Sequence, residues 1–123
     1  MKKLMLFVIL LITTSVFGQA SAGFTKIGNT ANVTYTDATC PNSSSCYYQV
    51  TSLDSTGHES QPAMCAASQL CFATNQAVAQ MPSSGTHTVV LSWTAPTGVS
   101  GVTFNVYQHI GPPSPTLVMA TVN

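Results

Sequence analysis

The sequence contains no arginine, and charged residues make up only 5% of its 123 residues. Proteins that bind nucleic acid neutralise phosphates with clustered lysine and arginine, and helices that lie in a membrane interface need a basic polar face. We therefore expect no nucleic-acid partner and no interfacial membrane helix. The sequence also lacks the GxSxG, HExxH and glycine-rich phosphate motifs. We accordingly expect no catalytic activity, no bound metal and no cofactor.

The N-terminal segment has the layout of a secretory signal peptide. Two lysines follow Met1, a short apolar run covers residues 4–17, and small residues occupy much of 18–22. This order of basic, apolar and small residues is typical of a cleaved leader. The polar residues 13–15 interrupt the apolar run, which is shorter than the roughly 20 residues that a membrane span needs. We predict a leader over residues 1–22, a secreted, periplasmic or cell-surface location, and no membrane insertion after cleavage.

The remaining residues, 23–123, form a small and weakly charged chain. Lys26 stands against Asp37, Asp54 and Glu59, which gives one positive minus three negative charges, or a net charge of −2. A chain of roughly 100 residues is long enough for one small hydrophobic core. Its low charge provides little electrostatic repulsion between molecules, which suits a module embedded in a surface or an assembly.

All four cysteines, Cys40, Cys46, Cys65 and Cys71, lie in the part predicted to be exported. An even cysteine count in a small secreted chain indicates a disulfide framework. The equal spacing within the first and second pair favours two local bridges, although three pairings are possible. The C-x5-C spacing is wider than that of common zinc sites, so we expect disulfides in preference to metal.

Apolar and polar residues alternate in several short runs, whereas no helical periodicity follows the leader. Clusters rich in Pro, Gly, Asn and Ser separate these runs, as expected for short antiparallel strands joined by turns. The pattern predicts an all-β antiparallel sandwich. Its expected core residues are Tyr48, Val50, Leu91, Trp93, Phe104 and Val106.

Four segments of the sequence resemble fibronectin type III domains of bacterial secreted proteins. VVLSWTAP, with Trp93, is similar to the B strand of that family, and GVTFNVY is similar to its C strand. GFTKIGNTANVTYTD resembles the C′ and E strands, and YQVTSLDSTGHES resembles the F strand with the turn leading to G. The resemblance implies a fibronectin type III or immunoglobulin-like sandwich whose halves occur in permuted order. The E-F-G-like half covers 23–62, a linker 63–80, and the B-C-C′-like half 81–123.

The resemblance places Cys46 where the family has the tyrosine of its corner motif, and Cys40 where the partnering leucine lies. This implies a disulfide that pins the E to F crossover. Three arrangements of the halves remain open: a circularly permuted sandwich within one chain, strand exchange between copies, and a piece of a tandem array. The tail, 117–123, weakly resembles residues 24–30, as two copies of one C′ segment would.

The function expected from these features is a non-catalytic module for adhesion or recognition at a cell or particle surface. Its partner would be an extracellular protein or a glycan. Tyr47 and Tyr107 are predicted to point outward from neighbouring strands, where they would contact a ligand. One alternative is a carbohydrate-binding module that uses these two rings. Another is a structural protein whose copies exchange strands. His58, His87 and His109 are expected in turns or at strand ends, outside any catalytic group.

Overall fold

The chain forms two β-sheets. The computed structural model describes residues 2–7, 20, 23–64, 71–73 and 75–111, and within these ranges it contains eight strands and no helix. The prediction of an all-β protein with antiparallel sheets is confirmed at this level. The strands are β1 (Lys2–Phe7), β2 (Thr25–Thr30), β3 (Thr34–Asp37), β4 (Ser45–Leu53), β5 (Cys71–Ala73), β6 (Gln76–Gln80), β7 (His87–Ser92) and β8 (Thr103–Gly111).

The smaller sheet has three strands in the order β1-β7-β3, and the larger has five in the order β2-β8-β4-β6-β5. All pairings are antiparallel except that of β1 with β7. The connections β2–β3, β3–β4, β6–β7 and β7–β8 each pass from one sheet to the other. This alternation places residues distant in sequence side by side, with β8 lying along the whole of β4.

One edge of β4 is covered by two separate segments that lie in line. Residues 59–63 run antiparallel beside the end of β4, since Ser60 N donates to Ser52 O and Ala63 N donates to Val50 O. β6 continues in the same direction beside the start of β4, from Ala77 opposite Tyr48 onward. The segment predicted as a linker, 63–80, therefore contains β5 and β6, and β5 pairs with β6.

The core lies between the two sheets. Tyr48 and Val50 of β4, Phe104 and Val106 of β8 and Leu91 of β7 are buried in one cluster with Trp93, so the six residues expected to form the core lie together. The rings of Trp93 and Phe104 meet edge to face with centroids 5.4 Å apart, a favourable aromatic geometry. Complete burial of a side chain of this size contributes about 1.5–3 kcal/mol, so this cluster supplies the main driving force for folding.

A disulfide and a buried carboxylate fix the crossover from β3 to β4. Cys40 and Cys46 are bonded, which confirms the first of the predicted local bridges. Cys65 lies outside the described residues, and β5, which begins at Cys71, is described by its backbone. Asp37, the last residue of β3, is 3% exposed although its side chain is a carboxyl group. Its burial requires hydrogen-bond partners for both side-chain oxygens, and the chain provides them.

The start of the predicted leader belongs to the smaller sheet. β1 pairs in parallel with β7 over six residues, from Lys2 opposite His87 to Phe7 opposite Ser92. Residues 8–19 of the leader lie outside the described residues. No helix in the described part of the chain has the length and apolar character needed to cross a membrane.

Candidate functional site

The face of the five-stranded sheet that points away from the core carries the candidate site. Because side chains alternate along a strand, the inward positions of Tyr48 and Val50 place Tyr47 and Thr51 on the opposite face. On β8, Asn105 and Tyr107 alternate in the same way with Phe104 and Val106. This outer face combines hydroxyl, amide and aromatic groups.

Glu59 gathers these groups into a hydrogen-bonded cluster. Its Oε1 atom accepts hydrogen bonds from the Thr51 hydroxyl at 2.5 Å, the Tyr107 hydroxyl at 2.5 Å and the Asn105 amide at 3.2 Å. The Asn105 Oδ1 atom in turn accepts a hydrogen bond from Asn29 of β2 at 2.8 Å. Glu59 is thereby bonded to β4 and β8, and through Asn105 to β2, so the carboxylate is held in one position. We call Glu59, Thr51, Asn105 and Tyr107 the Glu59 cluster.

The cluster keeps the carboxylate charged and the phenol neutral. Burial by itself raises the pKa of Glu59, but the hydrogen bonds from Thr51, Tyr107 and Asn105, with the charge of Lys26, outweigh it and hold that pKa below its ordinary value. Burial, followed by the hydrogen bond to Glu59, raises the pKa of Tyr107 to about 12. At neutral pH, Glu59 is therefore an oriented acceptor surrounded by donors.

Three rings lie in a row across the same face. His109 of β8 lies between Phe24, which precedes β2, and Tyr47 of β4, with centroid distances of 5.7 Å to Phe24 and 5.9 Å to Tyr47. The carbonyl of Gly23 accepts a hydrogen bond from His109 Nδ1 at 3.1 Å, which orients the imidazole. We call Phe24, His109 and Tyr47 the aromatic row. His109 and Tyr47 lie on the adjacent strands β8 and β4, and Phe24 directly precedes β2, so the row spans about 10 Å.

Gly111 provides the space that one of these rings occupies. A Cβ atom at this position would lie 3.2 Å from Cε2 of Tyr47, closer than side chains normally approach. An added Cβ atom would therefore require the Tyr47 ring to shift slightly. The row thus depends on a backbone position as well as on its three side chains.

The aromatic row and the Glu59 cluster adjoin one another. In the register of β4 and β8, Tyr47 is opposite His109 and Gln49 is opposite Tyr107, so Tyr47 and Tyr107 are diagonal neighbours. The sequence predicted that these two tyrosines face outward, and the structure places both, half-buried, on this face. A ligand lying on the rings would reach the Glu59 cluster within two residues along β8.

Sequence reasoning missed the other members of this face. His109 is two residues beyond Tyr107, so the alternation of β8 was a sufficient signal for it. Phe24 gave no such signal because it joins the row only through the pairing of β2 with β8. Glu59 lies in the segment that resembles the turn leading to G, and nothing in that segment indicates its partners Asn105 and Tyr107 on β8, which are distant in sequence.

A second group of polar side chains lies in the turn after β4. Asp54 Oδ1 accepts hydrogen bonds from the Thr56 hydroxyl at 2.7 Å and from His58 N at 2.9 Å. These interactions, the Thr56 hydroxyl first, lower the pKa of Asp54 to about 2. The hydroxyl of Thr56 and the Oδ2 atom of Asp54 both approach the same ring atom, His58 Nδ1, at 2.8 and 3.5 Å. A catalytic triad requires the carboxylate and the nucleophile on opposite ring nitrogens, so this group stabilises the turn.

The remaining histidine and the possible metal ligands are dispersed. His87 Nε2 lies 2.7 Å from the carbonyl of Ser84, at the entry to β7. Among residues 2–7, 20, 23–64, 71–73 and 75–111, no three His, Cys, Asp or Glu side chains are grouped as metal ligands. The outer face of the five-stranded sheet is therefore the best-defined candidate site in the described part of the chain.

Comparison with protein-family models, with curated proteins and with solved structures gave no match for this chain.

Proposed function

We propose that this protein is an exported, non-catalytic recognition module with a fibronectin type III-like sandwich, and that it binds a glycan through the aromatic row and the Glu59 cluster. The observation that carries the proposal is the juxtaposition of three ring faces with an oriented carboxylate on a sheet face outside the core. Sugars present C–H faces that pack on aromatic rings, and hydroxyl groups that donate to carboxylates. The three rings, Tyr107 and the Glu59 carboxylate are at least partly exposed in one patch, whereas Thr51 and Asn105 are buried beneath it.

The arrangement of strands supports the family part of the proposal. β7 and β8 coincide with most of the segments that resemble the B and C strands. Trp93, which directly follows β7, and Phe104 of β8 lie in one core. β3 and β4 follow the segments that resemble E and F, and the disulfide between Cys40 and Cys46 lies in their crossover. That is the place where the resemblance puts the corner motif, so the bridge is consistent with a covalent replacement of it.

The chemistry of the face favours a glycan over a protein partner. Cores of protein interfaces are rich in aromatic residues, Met and Arg and poor in hydrogen-bonding charges. This face has no arginine, and its central residues are a carboxylate, an amide and two hydroxyls that bond to one another. A polar network of this kind matches the hydroxyl groups of a sugar.

A glycan array followed by titration calorimetry tests the proposal. The double variant Tyr47→Ala/Tyr107→Ala should weaken binding by at least about fivefold, since each ring contact contributes about 0.5–1.5 kcal/mol. Tyr107→Phe, which keeps the ring but loses the bond to Glu59, should weaken binding less than the double variant.

Thr36→Ala is the matched control, because Thr36 is exposed on β3 of the other sheet. Near-ultraviolet circular dichroism and Trp93 fluorescence establish that each variant is folded. Equal glycan profiles for the wild type and the folded double variant would show that this face does not bind sugar.

A further inference from the structure

One oxygen of the Glu59 carboxylate is left over for a ligand. The three hydrogen bonds of the Glu59 cluster all end on Oε1, and none of the described residues donates to Oε2. In the described part of the chain, the buried polar side-chain atoms that lack a partner are Gln80 Oε1 and Trp93 Nε1. Glu59 Oε2 is not one of them, so solvent reaches it. Because three donors hold Oε1, Oε2 is held in place without a bond of its own.

The amides beside Glu59 determine what kind of group a ligand meets there. Asn29 donates to Asn105 Oδ1 at 2.8 Å, so the amide nitrogen of Asn105 is the end that faces Glu59. An amide nitrogen only donates, and the atom that it meets at residue 59 therefore has to be an acceptor. A ligand at Oε2 meets the second oxygen of an ionised carboxylate. Such a ligand has to supply a hydrogen-bond donor.

Lys26 is the other charged group on this face. It pairs with Tyr107 in the register of β2 and β8, which places both side chains on the outer side of the sheet. Its charge contributes to the lowered pKa of Glu59, although the two groups form no ion pair in the described structure. Lys26 is exposed, so solvent screens its attraction for an anion. Glu59 is partly buried and fixed, and its repulsion of an anion is screened less.

We propose that the ligand is a neutral sugar that donates a hydroxyl group to Glu59 Oε2, and that this contact excludes sugars that carry a carboxylate or a sulfate. The inference rests on the glycan function proposed above and adds the class of glycan. A sugar hydroxyl donates to Oε2, and a neighbouring hydroxyl is able to accept from Lys26. An anionic group at the same place would put two negative charges together at a partly desolvated site, which is unfavourable.

Glu59→Gln should change the selectivity of this face as well as its affinity. The amide oxygen of the substituted side chain has to keep the bond from Asn105, so its NH2 group takes the position of Oε2. A donor then replaces an acceptor at the point of contact. Affinity for the neutral sugar should fall about tenfold or more, the value of one hydrogen bond to a charged group. Acidic sugars should bind this variant more tightly than they bind the wild type.

A glycan array of matched pairs tests the inference. Each pair holds a neutral oligosaccharide and the same oligosaccharide with a uronic acid, a sialic acid or a sulfate, and titration calorimetry on one pair gives the affinities. The wild type should bind the neutral member about tenfold more tightly or better. Asp54→Asn is the matched control, because it also removes one negative charge but in the turn after β4. It should keep the ratio of the wild type.

The outcomes separate this inference from the glycan proposal. A wild type that binds the acidic member as tightly as the neutral one overturns the selectivity and leaves the glycan function standing. A Glu59→Gln variant that has the near-ultraviolet circular dichroism of the wild type and also its ratio of affinities shows that Oε2 does not contact the ligand. If that variant does not fold, the ratio measured on the wild type decides. A wild type that binds no member of any pair overturns the glycan function and the sugar class together.

Discussion

Replacing Asp37 should destabilise the protein more than any other single loss of charge. Its carboxylate is buried at the end of β3, and its Oδ2 atom accepts hydrogen bonds from the Tyr48 hydroxyl and the Gln108 amide, both at 2.6 Å. Its Oδ1 atom accepts from Thr39 N at 2.8 Å and from the Thr39 hydroxyl at 2.6 Å. The carboxylate thereby joins β3 in one sheet to β4 and β8 in the other. Burial, and then the hydrogen bond to Asp37, raises the pKa of Tyr48, so its hydroxyl remains a donor.

The magnitude follows from the donors left behind. Asp37→Ala leaves the buried Tyr48 hydroxyl and Gln108 amide without their acceptor, at about 1–3 kcal/mol each. Removing a charge that was costly to bury offsets part of this loss. We expect a net loss of about 3 kcal/mol, a large share of the 5–15 kcal/mol of a typical domain. The melting temperature should fall by roughly 12–24 °C.

A double-mutant cycle measures the bond between Asp37 and Tyr48 itself. Tyr48→Phe alone should cost about 1–2 kcal/mol, and the double variant Asp37→Ala/Tyr48→Phe should cost about 1–2 kcal/mol less than the sum, because no hydroxyl is then left unpaired. Urea unfolding of the oxidised protein, followed by the fluorescence of Trp93, gives each free energy. Trp93 is the only tryptophan in the sequence.

Asp54→Ala is the control for this cycle. It removes a carboxylate that also accepts hydrogen bonds, but in an exposed turn, so its loss should be much smaller. A loss below about 1 kcal/mol for Asp37→Ala, or additive effects of Asp37→Ala and Tyr48→Phe, would refute the account of this carboxylate as a link between the sheets.

Three further outcomes test the fold and the site. Replacing both Cys40 and Cys46 by serine should lower the urea-unfolding free energy by about 2 kcal/mol, the chain-entropy value for a loop of this length; no loss would show that the bridge does not restrain the unfolded chain. Gly28→Ala should cost about 1–3 kcal/mol in thermal unfolding, because its Cβ would lie 2.5 Å from the Tyr35 ring, and a neutral result would mean that the ring moves freely. The pKa of Glu59 is lower in the folded protein than its ordinary value, so its stabilising contribution is present above the unfolded pKa of about 4.3 and is lost as pH falls through the folded value. In Glu59→Gln, the urea-unfolding free energy should therefore fall less steeply with decreasing pH than in the wild type. An unchanged pH dependence would contradict the lowered pKa.

Local patterns in the sequence were enough to predict the strands that alternate strongly and the residues that meet in the core. β4, β7 and β8 each show period-two alternation, and the bridge between Cys40 and Cys46 follows from cysteines close together in sequence. Such features depend on neighbours within one strand or one loop, so a short stretch of sequence is enough to predict them. The prediction of an all-β protein rested on them.

The features that the sequence did not reveal depend on partners far along the chain. Asp37 is buried because Gln108, 71 residues away, donates to it. β1 is a strand paired with β7, although its residues lie in the segment that the sequence predicts as a leader. Alternation identifies a strand but not the strand beside it. The same limit hid the aromatic row, whose rings come from three strands.

The loop that joins residues 59–63 to β6 suggests a common role for the two cysteine pairs. Residues 59–63 and β6 lie beside successive parts of β4, so the chain between them begins and ends within two positions of β4. Closing such a loop costs entropy that a short cross-link reduces. The predicted bridge between Cys65 and Cys71 would shorten the effective length of this loop, as the bridge between Cys40 and Cys46 does for the crossover that leads into β4. Both would then brace the strand that carries Tyr47 and Thr51, and with it the face where recognition is proposed.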